Sequence, residues 1–231
     1  MSRIATISVV SLLMSGTALA GDYSTSANER PLTKPEGMTQ INVAANAVGT
    51  KSVGLSVDYG ITDTMDVSVG LPTYVMGDGG GVQKMVGVGL GYGLVDGDAL
   101  DVAAGLNVPV NFGDGDLVPA IGIDADTRYV MMDGALAIRT GHGLVNYIMG
   151  EGGGVMIGLN LGLTYQITDA INLDVDTPLM SMFDGETTSI ADAQVIDLGV
   201  GYNMDAIDIG LKATNVTEDA RGVGILVGYR L

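Results

Sequence analysis

The 231-residue chain carries 27 acidic against 10 basic residues, one histidine, no cysteine and 36 glycines, for a formal net charge of −17. That balance excludes nucleic acid as a partner, and without cysteine no disulfide can staple the fold. Acidic chains are usually poor in apolar residues, yet 47% of this one is hydrophobic, so the arrangement of those residues has to define the fold class.

At the N-terminus, Arg3 precedes an apolar run from Ile4 to Leu13, and Thr17-Ala18-Leu19-Ala20 puts alanines at the −3 and −1 positions before Gly21. This is the layout of a secretory signal peptide over residues 1–20, too short to span a bilayer as a helix. Its removal leaves 27 acids against nine bases. Residues 21–37 are polar and contain Pro31 and Pro35, the composition of a flexible periplasmic tail. Residues 38–231 are expected to form one domain.

From Met38 onward the apolar residues alternate with a period of two, the signature of half-buried strands. Val53, Leu55, Val57 and Tyr59 alternate with Gly54, Ser56, Asp58 and Gly60; Val86, Val88, Leu90 and Tyr92 alternate with glycines. The pattern returns at Leu159, Leu161, Leu163 and Tyr165 and ends at Val223, Ile225, Val227, Tyr229 and Leu231. Short connections such as Ile61-Thr62-Asp63-Thr64, Met132-Asp133-Gly134 and Ile167-Thr168-Asp169-Ala170 follow the tyrosines. Longer ones, 77–84, 113–116, 150–154, 184–192 and 216–221, lie at the opposite ends. Short turns at one rim and long loops at the other predict an antiparallel up-and-down transmembrane β-barrel of about twelve strands.

The aromatic residues support this register. Tyr59, Tyr92, Tyr129, Tyr165, Tyr202 and Tyr229 fall beside the short turns on the apolar parity, while Tyr74, Phe112, Tyr147 and Phe183 fall near the other rim. Two bands of this kind are what interfacial girdles require. Phe112 and Phe183 keep outward parity, whereas Tyr74 breaks it and is expected to point inward. If the apolar parity faces lipid, Asp58, Asp66, Asp101, Asp124, Asp126, Asp174, Asp176, Asp197 and Asp208 face the lumen, as do Arg128, Arg139, Lys212 and Arg230. A lumen with more carboxylates than bases would prefer cations.

Other motifs are expected to be structural. Asp96-Gly97-Asp98 and Gly113-Asp114-Gly115-Asp116 lack the spacing of a calcium loop and read as turns, with Asp114 and Asp116 the only weak calcium candidates. The glycine runs 79–81 and 150–154 read as loop tips. His142, the lone histidine, has no nucleophile signature with it and reads as a strand residue near the outer rim, so enzymatic activity is not expected. No cofactor is expected.

The C-terminal run Gly222 to Leu231, with Tyr229 third from last, resembles the β-signal that the barrel-assembly machinery recognises, except that Leu231 stands where an aromatic is usual. The phrases Asp58-Tyr-Gly-Ile-Thr-Asp63 through Gly70-Leu71-Pro72, Ala104 to Gly113 and Tyr165 to Asp174 resemble the outer-membrane channels of the "MetA-pathway of phenol degradation" family. That resemblance implies transport of small solutes, hydrophobic ones among them, with which an acidic lumen agrees poorly. It carries over no binding residue.

The expected function is passive diffusion of small cationic or neutral solutes through an acidic, glycine-rich lumen in the outer membrane, by a chain in contact with lipid and monomeric. A closed structural or surface-display barrel, working through its extracellular loops, is the alternative. The sequence does not decide whether the lumen is open.

Overall fold

A computed structural model describes residues 26–48, 51–76, 81–83, 85–111, 118–141, 145–149, 154–183, 186–189, 196–214, 216 and 222–231. The region taken as a signal peptide, with Asp114, Asp116, Phe112 and His142, lies outside them.

Twelve antiparallel staves make up the described sheet, several of them interrupted. In chain order they are β1 (Thr39–Val48), β2 (Ser52–Thr62), β3 with β4 (Met65–Gly70, Thr73–Val75) and β5 with β6 (Gly81–Gln83, Met85–Val95). Next come β7 (Leu100–Asn111), β8 (Val118–Met131), β9 with β10 (Leu136–Gly141, Val145–Ile148) and β11 (Gly154–Thr168). The circuit ends with β12 (Ile171–Phe183), β13 with β14 (Glu186–Ser189, Asp197–Asn203), β15 (Ile207–Thr214) and β16 (Gly222–Arg230). Each stave pairs with its sequence neighbours, and β1 pairs with both β2 and β16, which closes the sheet into a barrel.

Closure follows from what the outer face has to meet. Among the described residues only Met38, Ala103 and Ala137 are buried hydrophobics, whereas 17 polar or charged residues are buried and 34 large hydrophobics are exposed. A water-soluble fold inverts that distribution. In a bilayer it is the stable one, because hydrocarbon solvates the apolar outer face and a closed ladder leaves no backbone amide unpaired. The outward alternation of Leu90, Leu106 and Ile123 across three adjacent staves makes one stretch of this apolar belt.

Three irregularities correct expectations from the sequence. Ser56 pairs Gly70 but Val53 pairs Tyr74, so one extra residue is accommodated around Leu71-Pro72. Proline has no amide hydrogen for the ladder, which makes it a natural site for such a bulge. The shift turns Tyr74 outward, and it is 52% exposed; an uninterrupted parity count had sent it inward. Pro178 sits at a second bulge, between Leu159 pairing Met180 and Asn160 pairing Pro178. The segments 77–84 and 184–192, read as loops, contain β5 and β13, short antiparallel extensions paired with β4 and β12. The period-two test misses three- and four-residue strands because they are too short to show a pattern.

At the other rim the turns are tight. Met132, Asp133 and Gly134 all have positive φ (55°, 53° and 88°), and the Ala135 N–H donates to Met132 O at 3.1 Å. Asp-Gly suits this left-handed turn.

Candidate lumen site

The first 13 described residues do not hang free. Ser26–Met38, expected from the sequence to be mostly flexible tail, runs against the inner wall at the short-turn rim. Ser26, Asn28, Arg30, Thr33, Lys34 and Met38 are buried. A short 3-10 turn, Ala27–Glu29, leads into an extended Arg30 (φ −82°, ψ 137°). Arg30 and Lys34 each precede a proline, which disfavours helix and keeps the segment extended.

The wall grips this segment at both ends. The Ala27 N–H donates to Gln166 Oε1 at 3.1 Å and Asn28 Nδ2 to Gly134 O at 2.8 Å. Arg128 Nη1 donates to Ala27 O at 2.9 Å, and its Nη2 donates to Arg30 O. Arg30 lies 3.5 Å from Asp208, which also pairs with Arg230 at 2.6 Å. Further along, the Lys34 N–H donates to Asp66 Oδ2 at 2.9 Å, and Gly37 and Met38 exchange backbone hydrogen bonds with Gly60. Gly60 is required here: a Cβ at that position would overlap the Pro35 carbonyl oxygen. Burial lowers the Lys34 pKa from its usual value, and the carboxylates of Asp58 and Asp66 work against that shift.

Deeper in the lumen a second network lies on the walls of β9, β12, β14 and β15. Arg139 Nη2 lies 3.1 Å from Asp174 and 3.0 Å from Asp176; Lys212 Nζ lies 3.3 Å from Asp176 and 3.2 Å from Asp197. Thr164 and Asn172 also donate to Asp174. Whereas the Arg128–Asp101 pair is nearly sealed, with side chains 6% and 4% exposed, Arg139, Asp176 and Lys212 remain 26%, 32% and 33% exposed. On the β7–β8 wall Asn107 donates to Asp124 at 2.5 Å, and on the β1–β2 wall Asn42 donates to Asp58 at 2.8 Å. The Asp126 carboxylate lies over Gly141, whose φ of +145° suits glycine alone.

Glycine has a recurring place in this wall. Asp66 is paired with Gly91, Asp176 with Gly162, Asn172 with Gly201, Asn107 with Gly122 and Asn46 with Gly224. A Cβ on any of these glycines would overlap the terminal atoms of its polar partner. The polar side chains therefore lie flat across a neighbouring glycine instead of projecting into the lumen. Sequence reasoning found the glycines and the carboxylates on one face but not this pairing, which needs the register. It also missed Arg30 and Lys34, which lie outside every strand.

The tyrosines of the short-turn rim, Tyr59, Tyr92, Tyr129, Tyr165, Tyr202 and Tyr229, are 45–52% exposed on the outer face, and Tyr147 near the other rim is 51% exposed. Phe183 pairs with Met156 through the backbone. Leu231 exchanges backbone hydrogen bonds with Thr39 at the seam. Among the described residues no group of three or more acidic, histidine or cysteine residues could hold a metal.

A closed antiparallel barrel with an apolar, tyrosine-banded exterior and a polar interior is an integral β-barrel of the bacterial outer membrane. Solved structures of similar fold are porins and channels of that membrane. The KdgM porin superimposes with a TM-score of 0.60 at 10% identity, over 82% of this chain and 98% of that one. The NanC porin gives 0.53 at 12% identity, over 82% and 97%. The COG4313 outer membrane channel from Pseudomonas putida F1 gives 0.53 at 12% identity, over 91% and 98%. No family model and no curated protein matches the chain. At these identities the likeness is one of fold.

Proposed function

We propose that this barrel is a porin-like channel for passive diffusion of small solutes across the outer membrane, with a preference for cationic and neutral ones. The observation that carries the reading is the flat-lying inner wall: carboxylates and amides lie over glycines instead of projecting into the lumen, and Arg139, Asp176 and Lys212 remain 26%, 32% and 33% exposed. The inner wall has nine aspartates, Asp58, Asp66, Asp101, Asp124, Asp126, Asp174, Asp176, Asp197 and Asp208, against six cations once Arg30 and Lys34 join Arg128, Arg139, Lys212 and Arg230. The N-terminal segment brings Glu29 and Glu36 together with its two cations, so it leaves the acidic excess of the strands unchanged, and that excess favours cations. One KdgM porin structure is a complex with disordered oligogalacturonate; a polyanion of that kind suits this lumen poorly.

The seated N-terminal segment favours the second reading, a closed barrel that acts through its loops. Liposome swelling separates the two. Vesicles holding the mature protein should swell in small neutral sugars and cationic amino acids, and more slowly in anionic amino acids of equal size. Vesicles that contain folded barrel and never swell would contradict a channel.

A further inference from the structure

We infer that residues 26–36 are a tethered plug, seated in the short-turn mouth, and that the barrel's conductance is set by whether this segment is in its seat. The inference rests on the channel reading above. The contacts of this segment have the character of a seat. Of the segment's buried residues, Arg30 pairs with the Asp208 carboxylate on β15 and Lys34 donates its backbone N–H to the Asp66 carboxylate on β3, staves separated by β16, β1 and β2. Arg128 and Gln166 hold its backbone from β8 and β11. Thr33 faces Gly93 on β6. The segment thus touches walls around the bore, so it crosses the mouth instead of lining one side.

The bonds that hold it are also of a reversible kind. They are polar contacts and ion pairs to groups that water or permeating ions can satisfy once the segment leaves. The only hydrophobic residue of the segment's far end that is buried is Met38, which stays attached as the hinge beside β1. Gly60 belongs to the same device, since its missing side chain leaves the space that the Pro35 carbonyl occupies.

The chain lacks cysteine, so a lock can be built without background. A Cβ on Gly93 would lie 3.3 Å from Thr33 Oγ1, the position a cysteine sulfur would take, so a disulfide can bridge the two with a small shift of the tethered segment. Single-channel recordings would compare the mature protein, the Thr33→Cys/Gly93→Cys variant oxidised and reduced, Gly60→Ala, and a chain lacking residues 22–36. The mature protein should switch between a low and a severalfold higher level. The oxidised pair should stay low and recover switching on reduction, while Gly60→Ala and the truncated chain should stay high. One common level in all of them would overturn the plug and leave the channel standing. No conductance from any folded form, truncated included, would instead overturn the channel reading and the plug with it. The cross-linked and Gly60→Ala proteins keep the full chain, so the test survives a truncation that does not fold.

Discussion

Leu106→Arg is expected to cost the barrel about 2–4 kcal/mol, the penalty for a cation at the middle of a lipid-facing wall. Leu106 sits halfway along β7, is 46% exposed and lies between Leu90 and Ile123 on the adjoining staves, both also exposed. The neighbouring substitution Asn107→Arg should cost less than about 1 kcal/mol, because its guanidinium can pair with Asp124 in a hydrated lumen. Refolding into lipid vesicles across a urea series reads both values. Equal costs at the two positions would mean that the faces have been assigned wrongly.

The second large effect is expected at Arg128. Its guanidinium donates to Asp101 at 2.8 and 2.6 Å and holds two carbonyls of the N-terminal segment. Both partners of the ion pair are nearly sealed from solvent. Arg128→Ala leaves a buried carboxylate with no cation, a loss on the order of 3–5 kcal/mol. Adding Asp101→Asn removes the stranded charge and should restore most of the stability while the N-terminal segment remains loosened. A urea series on the single and double variants tests this; a double variant no more stable than Arg128→Ala would show that the pair is not the source of the cost. By contrast, Lys212→Ala, which opens a pair one-third exposed to the lumen, is expected to cost under about 1 kcal/mol.

Much of the fold was legible because a barrel wall writes its two faces into a period of two. Tyr59, Tyr92, Tyr129, Tyr165, Tyr202 and Tyr229 share one parity, and they emerge on one exposed band. Parity fails where the chain inserts a residue. Tyr74 shows this: the bulge at Leu71-Pro72 reverses its direction, and proline signals only that some irregularity is near. The site was less legible than the fold for two reasons. Which glycine lies beneath which carboxylate depends on the stagger between staves, as with Asp66 over Gly91 and Asp176 over Gly162. The N-terminal segment carried no periodic signal at all. Its Arg30-Pro31 and Lys34-Pro35 steps read as those of a flexible tail, although Arg30 pairs with inward Asp208 and the Lys34 N–H donates to inward Asp66. Polar composition records what a segment can do in water and is silent about a polar cavity that receives it.

The central claim, a membrane channel with a carboxylate-biased lumen, is tested most directly by the reversal potential of the mature protein in a planar bilayer under a potassium chloride gradient. Conductance with a cation-selective potential is expected, whether or not the N-terminal segment switches its level, and that potential should move toward zero when Asp124, Asp126, Asp174 and Asp176 are replaced together by asparagine. An anion-selective potential, or one that this fourfold replacement leaves unchanged, would contradict it.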